Sequence, residues 1–308
     1  MESLKNFYTN KRVLVTGGAG FIGSHLVEKL VSLGARVTVL DNFSSGNINN
    51  LKSVLSSVSL FYADVRTEYS CSKATVGQDV VFHTAGFISV AESVKNPKVC
   101  YDINVQGTAH MLEACRKNDV KNFVFSSSSA VYGQKNGLCN EDDPVDPQSP
   151  YASSKYDGET LCKEYAQTTN MNIAILRYFN VYGERQSADG SYAAVVARFS
   201  QQLKTGQPVT IFGDGKQTRD FIHVSQVAQA NALLGMRDDL KGDVFNVGSG
   251  KSITILELIE QLEKELNVKS AELTFSPARQ GDIVHSHANC EKYLHIAAES
   301  GFSVEKNQ

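Results

Sequence analysis

The apolar run RVLVT at 12–16 leads straight into Gly17-Gly18-Ala19-Gly20-Phe21-Ile22-Gly23. The spacing is Gly17-x-x-Gly20-x-x-Gly23, and an amphipathic stretch at 21–33 follows. Few folds accept a strand, a glycine turn and a helix in such quick succession. The glycines permit a tight turn and close packing of helix on strand. They also let an anion reach the N–H groups and positive dipole end of the helix. A purely structural glycine turn remains the other reading of these residues. The next apolar run, 36–40, ends at Asp41, 18 residues beyond Gly23. An acid there can accept hydrogen bonds from ribose hydroxyls and repel a 2′-phosphate, so NAD is expected rather than NADP. Arg36 stands too early to bind that phosphate.

The same rhythm recurs. Runs at 58–62, 79–83, 122–126 and 172–177 read as further strands, with helices expected at 105–118 and 154–168. Apolar runs without alternation suit strands covered on both faces. The expected fold class is α/β, a doubly wound parallel sheet with a smaller C-terminal α/β lobe. At ~100–200 residues per domain, 308 residues leave room for both. Residues 1–177 are expected to form the dinucleotide-binding domain, with return segments near 220–250. Residues 178–308 would be mainly the lobe, with helices near 192–204 and 255–266 and strands near 209–213 and 244–247. A net charge of −3 gives no electrostatic reason to expect nucleic acid or an anionic membrane as partner. Six scattered cysteines, with no CxxC pair, read as buried reduced thiols rather than as a zinc site or disulfide framework. No metal is expected. Residues 1–10 lack an apolar signal core, and no run nears the ~18 residues of a membrane span, so a cytoplasmic chain is expected.

Chemistry concentrates at the strand ends. Tyr151 and Lys155 are spaced i, i+4, which on a helix puts phenol and ammonium on one face. A free tyrosine, with a pKa of ~10, is a poor base, and a nearby Lys⁺ would favour its phenolate. An ordinary exposed pair has the same spacing. Residues 126–129 are four serines at the end of a predicted strand, where a doubly wound sheet opens its ligand crevice. Asp64-Val65 follows the third strand and could meet an adenine. His83-Thr84-Ala85-Gly86 follows the fourth. Small residues there let a dinucleotide pass, and His83 reads as a packed structural histidine. Asn104 reads either as a helix N-cap or as a site residue.

These features fall in the chain order of a known superfamily. The segments TGGAGFIG (16–23), DNFSSG (41–46), HTAG (83–86), NVQGT (104–108), SSSSAVYG (126–133) and YASSK (151–155) resemble the extended short-chain dehydrogenase/reductases. With RYFNVYG (177–183), GDGKQTRDFIHV (213–224) and RQGD (279–282), the chain resembles the UDP-hexose 4-epimerases within that group. The resemblance implies Tyr151 as base, Lys155 as ribose anchor and tuner of Tyr151, and Ser128 as the hydroxyl bridging Tyr151 and sugar. It implies NAD contacts at Gly17, Gly20, Phe21, Ile22, Gly23, Asp41, Asn42, Ser45, Gly46, Asp64 and Val65. Thr84, Ala85, Gly86, Asn104, Ser126 and Tyr178 complete that set. It further implies substrate contacts at Asn180, Ala194, Val195, Phe212, Arg219, Arg279, Asp282 and Ser286. The two arginines would hold a diphosphate, Asp282 the uridine ribose, and Phe212 the uracil. Glu184 stands where many relatives have proline, and Ile88 where some carry a lysine.

Related sugar dehydratases carry acidic residues before the Val-Tyr-Gly, where this chain has only serines and alanine. The expected reaction is therefore reversible oxidation at C4 through a 4-keto intermediate, with inversion on return of the hydride. The segment SYAAVVARF (191–199) resembles epimerases of N-acetylhexosamines. Relatives with a bulky tyrosine at position 286 exclude the N-acetyl group, whereas a serine leaves room. UDP-GlcNAc/UDP-GalNAc is thus expected as substrate, with UDP-Glc/UDP-Gal also possible. The alternatives are a UDP-glucuronate 4-epimerase, a nucleotide-sugar ketoreductase and a non-catalytic sensor. A homodimer through the helices at 105–118 and 154–168 is implied by resemblance.

Overall fold

The computed structural model describes residues 2–135, 137–187, 195–270, 272–278 and 284–300. Helix α1 (Glu2–Tyr8) precedes the strand–glycine–helix unit, β1 (Arg12–Thr16) and α2 (Phe21–Ser32). Strands β2 (Arg36–Asp41) and β3 (Val58–Tyr62) follow, then α3 (Glu68–Ala74) and β4 (Val80–His83). Two short helices, α4 (Val90–Lys95) and α5 (Pro97–Tyr101), run into α6 (Gly107–Lys117), β5 (Asn122–Ser128), α7 (Pro150–Thr168) and β6 (Asn172–Tyr178). The remainder comprises β7 (Asn180–Tyr182), α8 (Val195–Thr205), β8 (Val209–Phe212), β9 (Thr218–Arg219), β10 (Phe221–His223) and α9 (Val224–Gly235). It closes with β11 (Lys241–Val247), β12 (Ile253–Thr254), α10 (Ile255–Leu266), β13 (Leu273–Ser276) and α11 (Glu291–Glu299).

Seven strands form one parallel sheet in the order β11-β6-β5-β4-β1-β2-β3. This is the doubly wound α/β fold expected from the strand runs. The order in which strands are added reverses between β1 and β4, and doubly wound sheets hold their ligands at the carboxyl ends of strands at such a point. The inner strands are buried on both faces, which explains their unbroken apolar runs. Val13, Val15, Phe82 and Val124 pack against α2 and α9 residues such as Leu26, Leu30, Ala228 and Leu233. Leu14, Val81, Phe123 and Phe125 pack the other way, against Met111, Cys115 and Cys162 of α6 and α7. At ~1.5–3 kcal/mol for each large apolar side chain removed from water, these two layers dominate the fold's stability.

A separate small core joins α8 and α10 over β8: Phe199, Leu203, Val209, Ile211, Ile255, Leu258, Ile259 and Leu262. Thr254 starts α10 with a reciprocal capping box to Glu257, and Asn267 ends it in the left-handed region at φ 52°. Strand β11 follows these smaller strands in sequence, yet pairs with β6 in the main sheet.

Two local expectations change. The helix foreseen from 105 is preceded by a π-helical turn, Asp102–Gln106, and Asn104 lies inside that turn, so it is not an N-cap. Helix α7 begins earlier than 154, because Ser149 caps it with a 3.2 Å bond to the Ala152 N–H and Pro150 takes the first position. Tyr151 and Lys155 therefore both lie within the helix. All six cysteines are buried and free. Among the described residues, no helix is long and apolar enough to cross a membrane.

Candidate active site

At the end of β1, Gly17 turns at φ 67°. A Cβ on Gly17 would lie 2.8 Å from Ala85 Cα, and one on Gly23 would lie 2.2 Å from the Gly17 carbonyl oxygen. Both glycines are thus demanded by packing. Gly20 is different, since its Cβ would meet only the Gly17 oxygen, at 3.1 Å. It is the N-cap of α2, and no side chain caps that turn. The first N–H groups of α2, from Phe21, Ile22 and Gly23, have no intrahelical partner and suit a pyrophosphate. Asp41, buried at the end of β2, accepts from the Ala19 N–H at 2.9 Å and the Phe43 N–H at 2.8 Å. Gly46 must stay small, because its Cβ would sit 3.0 Å from both Asp41 carboxylate oxygens. Ser45 beside it is exposed. A bare helix N-terminus with an anchored acid one strand away fits a dinucleotide with free ribose hydroxyls.

Asn42 donates to Asp64 at 2.8 Å. Asp64 is also gripped by Arg66 through two side-chain bonds, of 3.0 and 2.7 Å, which hold its carboxyl down at about 2. Val65 packs on Gly107, where a Cβ would fall 2.8 Å from its methyl group. Thr84 donates to the Thr16 carbonyl at 2.6 Å, tying the ends of β1 and β4 together. His83 is a structural histidine, as its sequence context suggested. It lies between Thr16 (2.8 Å) and Thr108 (3.2 Å), and burial drives its pKa down to about 3.

Asn104 is a buried staple. Its Oδ1 accepts from the Phe87 N–H at 2.6 Å, and its Nδ2 donates to the Phe87 carbonyl at 3.1 Å and to Ser154 of α7 at 2.9 Å. A Cβ on Gly86 would lie 3.1 Å from Asn104 Oδ1 and 3.2 Å from Lys155 Nζ. The strand end at 86, the π-turn and the lysine thus converge. Lys155 Nζ donates to the Ser126 carbonyl at 2.8 Å. Burial pulls its pKa down to about 8, partly offset by the nearby Glu159 carboxylate. Burial raises the Tyr151 phenol, and the neighbouring Ser128 hydroxyl counters part of that rise. Ser128 Oγ accepts from the Ala130 N–H at 3.2 Å, which leaves its proton for the phenolic oxygen. In the protein alone the phenol stays above its ordinary value, and the lysine is engaged with Ser126. The hydroxyl of Ser126 meets Tyr178 OH at 3.0 Å, and Tyr178 donates on to Asn231 at 2.9 Å. Tyr178 is therefore pinned on the α9 side of the sheet.

Sequence reasoning missed Glu159, one turn beyond Lys155. Fully buried, it accepts from Ser127 at 2.5 Å and takes two bonds from Arg177, of 2.8 and 2.7 Å. Its i, i+4 spacing from Lys155 was the available signal.

Among the described substrate candidates, Asn180 of β7 and Ser286 meet beside β9. Asn180 Nδ2 donates to the Asp220 carbonyl at 3.1 Å and to Ser286 Oγ at 3.4 Å. Ser286 is nearly buried, and its N–H meets the Thr218 carbonyl at 3.2 Å. Arg219 donates to the Thr218 carbonyl at 2.9 Å. The Phe212 ring carries the Arg198 guanidinium at 5.4 Å, and Val195 opens α8. Ala194, Arg279 and Asp282 lie outside the described residues. A cavity of about 550 Å³ opens nearby between β10, α8 and α10, walled by Tyr182, Phe221, His223, Ser249 and Lys251. It is not lined by Ser128, Tyr151 or Lys155.

Glu184 lies within 3.7 Å of His25 and 3.4 Å of His223, and Arg185 reaches Ser24 (3.0 Å) and Glu28 (2.6 Å). The loop after β7 thereby clasps the glycine-turn helix α2. Ile88 is exposed.

Known proteins share this fold. A UDP-N-acetylglucosamine 4-epimerase from Methanobrevibacter ruminantium, solved with UDP-N-acetylmuramic acid, superposes with a TM-score of 0.91 at 36% identity, over 97% of this chain and 94% of that one. A Thermus thermophilus UDP-glucose 4-epimerase solved with NAD gives a TM-score of 0.86 at 36% identity, over 96% and 94%. A UDP-glucose 4-epimerase of Mycolicibacterium smegmatis is 39% identical over 280 residues, 89% of this chain and 88% of its own. Residues 13–248 match the NAD dependent epimerase/dehydratase family, and the chain belongs to it.

Proposed function

We propose that the protein is an NAD-dependent 4-epimerase of UDP-hexoses, acting on UDP-GlcNAc/UDP-GalNAc and on UDP-Glc/UDP-Gal. One observation carries this reading: Ser128, at the end of β5, stands beside the Tyr151 phenol, with Lys155 one turn along the same helix. The carboxylate that this strand end does meet, Glu159, is consumed by Arg177 and Ser127. Dehydration or decarboxylation would ask for a free acid; alcohol oxidation needs only hydroxyl, phenol and lysine. The 4-epimerases from M. ruminantium and M. smegmatis support the substrate class.

In this reading Tyr151 phenolate takes the proton of the C4 hydroxyl, while Ser128 hydrogen-bonds the same oxygen. NAD⁺, held there, would supply the hydride acceptor for C4 oxidation and the donor for its reversal. Lys155 and Asp41 hold the ribose hydroxyls, and the glycine-turn N–H groups hold the pyrophosphate. Phe21, Ile22, Asn42, Ser45, Gly46, Asp64, Val65, Thr84, Ala85, Gly86, Asn104, Ser126 and Tyr178 complete the cofactor's surroundings. Asn180, Arg219, Arg279 and Asp282 grip the nucleoside diphosphate, with Phe212, Ala194 and Val195 beside them. The 4-keto sugar turns about its link to the gripped diphosphate. Tyr151 then gives the proton back. Ser286, being small, admits an N-acetyl group. A homodimer through α6 and α7 belongs to the same reading, and sedimentation equilibrium tests it.

The deciding assay incubates the protein with UDP-GlcNAc or UDP-Glc without added reductant and separates the C4 epimers. Interconversion supports the proposal; turnover only with NAD(P)H supplied points to a ketoreductase instead. Ser286→Tyr should abolish N-acetylhexosamine turnover before hexose turnover, and equal loss on both would refute the gate.

A further inference from the structure

Asp220 touches neither the glycine turn nor the Tyr151 helix, yet it is fully buried and fully engaged. Its Oδ1 accepts from the Ser249 N–H at 2.7 Å and the Ser249 hydroxyl at 2.8 Å. Its Oδ2 accepts from the Gly250 N–H and the Ala288 N–H, both at 3.1 Å. Its own carbonyl accepts from the Asn180 main-chain N–H at 3.0 Å and the Asn180 side chain at 3.1 Å. The junction is tight, since a Cβ on Gly248 would lie 2.7 Å from Ala288 Cβ and 3.0 Å from Asp220 Oδ2. One residue thus ties together 180, 219–221, 248–250 and 286–288, segments that share no element.

A buried carboxylate is tolerated only where donors take up its lone pairs, and charge-assisted bonds of this kind are strong. Two donors on each oxygen fix where the four segments stand relative to one another. Three of those segments carry residues assigned above to the substrate: Asn180, Arg219 and Ser286. We propose that Asp220 is a positioning residue that assembles the UDP-sugar wall and sets substrate affinity without touching substrate. The inference rests on the UDP-sugar reading of the site. An asparagine at 220 offers one accepting oxygen and turns an NH₂ toward N–H groups, so part of the junction must open. The cofactor turn and the Ser128–Tyr151 pair lie on other elements and should be left intact.

The test titrates the purified protein with UDP by calorimetry, alongside KM, kcat, retained NAD and the thermal midpoint. Asp220→Asn should weaken UDP binding and raise KM by about tenfold, as expected for losing buried charge-assisted bonds, with kcat within about twofold. Retained NAD should be unchanged. Ser249→Ala removes one donor and should shift UDP affinity the same way, by about threefold. A folded Asp220→Asn protein that binds UDP like wild type would overturn the proposal. So would a loss spread equally over UDP binding, kcat and NAD, which marks a merely structural residue. If Asp220→Asn does not fold, Ser249→Ala and Gly248→Ala decide: weakened UDP binding in either supports the proposal, and wild-type affinity in both overturns it. A wild-type protein that binds no UDP would overturn the UDP-sugar reading itself, and this inference with it.

Discussion

Tyr151 sits under two opposed influences, burial raising its pKa and the neighbouring Ser128 hydroxyl countering part of that rise. Removing the phenolic oxygen removes the group that takes the C4 hydroxyl proton in the proposed reaction. Tyr151→Phe should lower kcat by about 10²–10⁴-fold. NAD should stay bound, read from the absorbance of cofactor released on denaturation. Ser128→Ala should cost less, because the phenol remains and only a neighbouring hydroxyl is lost. The two glycines at the ends of the motif offer a sharper contrast with the middle one. Gly23→Ala forces a Cβ to within 2.2 Å of a carbonyl oxygen and should destabilise the fold by roughly 1–3 kcal/mol or more, seen in the urea midpoint. Gly20→Ala meets one oxygen at 3.1 Å, so stability should largely survive while NAD affinity falls. Equal effects of the two substitutions would show that the turn has one role, not two.

Among the elements, α2 is held from two sides. In the proposed reading its N-terminus holds the dinucleotide's phosphates, and the helix is clasped by Glu184 and Arg185 from the loop after β7. Arg185 holds a left-handed backbone, φ 68°, to reach both Ser24 and Glu28. Arg185→Ala removes a half-buried ion pair and one hydroxyl contact. It should lower the thermal midpoint only slightly, in keeping with ~1 kcal/mol for such pairs. Its effect should show instead as a weaker grip on NAD, because the clasp steadies the helix that would hold the phosphates in the proposed reading. Unchanged NAD affinity would assign the clasp to packing alone.

Across the whole molecule, the polar groups inside the sheet couple stability to pH. His83 is buried and neutral between Thr16 and Thr108, with its folded pKa near 3 against about 6.5 when unfolded. Between those values the unfolded chain binds a proton that the folded protein refuses, so stability rises with pH across that window. Stability should therefore fall by about 2 kcal/mol from pH 7 to pH 5, measured by urea unfolding. His83→Gln should flatten that slope while lowering the neutral-pH value. A slope unchanged in the variant would mean that another group carries it.

The local code of the chain sufficed for the alternation of apolar runs and helices, the glycine spacing, the acid after the second strand and the Tyr–Lys pair. Each rests on neighbours within a few residues, where steric and hydrogen-bond rules are short-ranged. Folding in three dimensions was needed for the rest. No spacing announces that Glu159 meets Arg177 from a neighbouring strand, that Asn104 staples Phe87 to Ser154, or that Asp220 gathers Ser249, Gly250 and Ala288. The return of β11 to the main sheet belongs with them. In all of these the deciding energy is the satisfaction of a buried polar group by a partner distant in sequence, and that partner is fixed only once the sheet has closed around it.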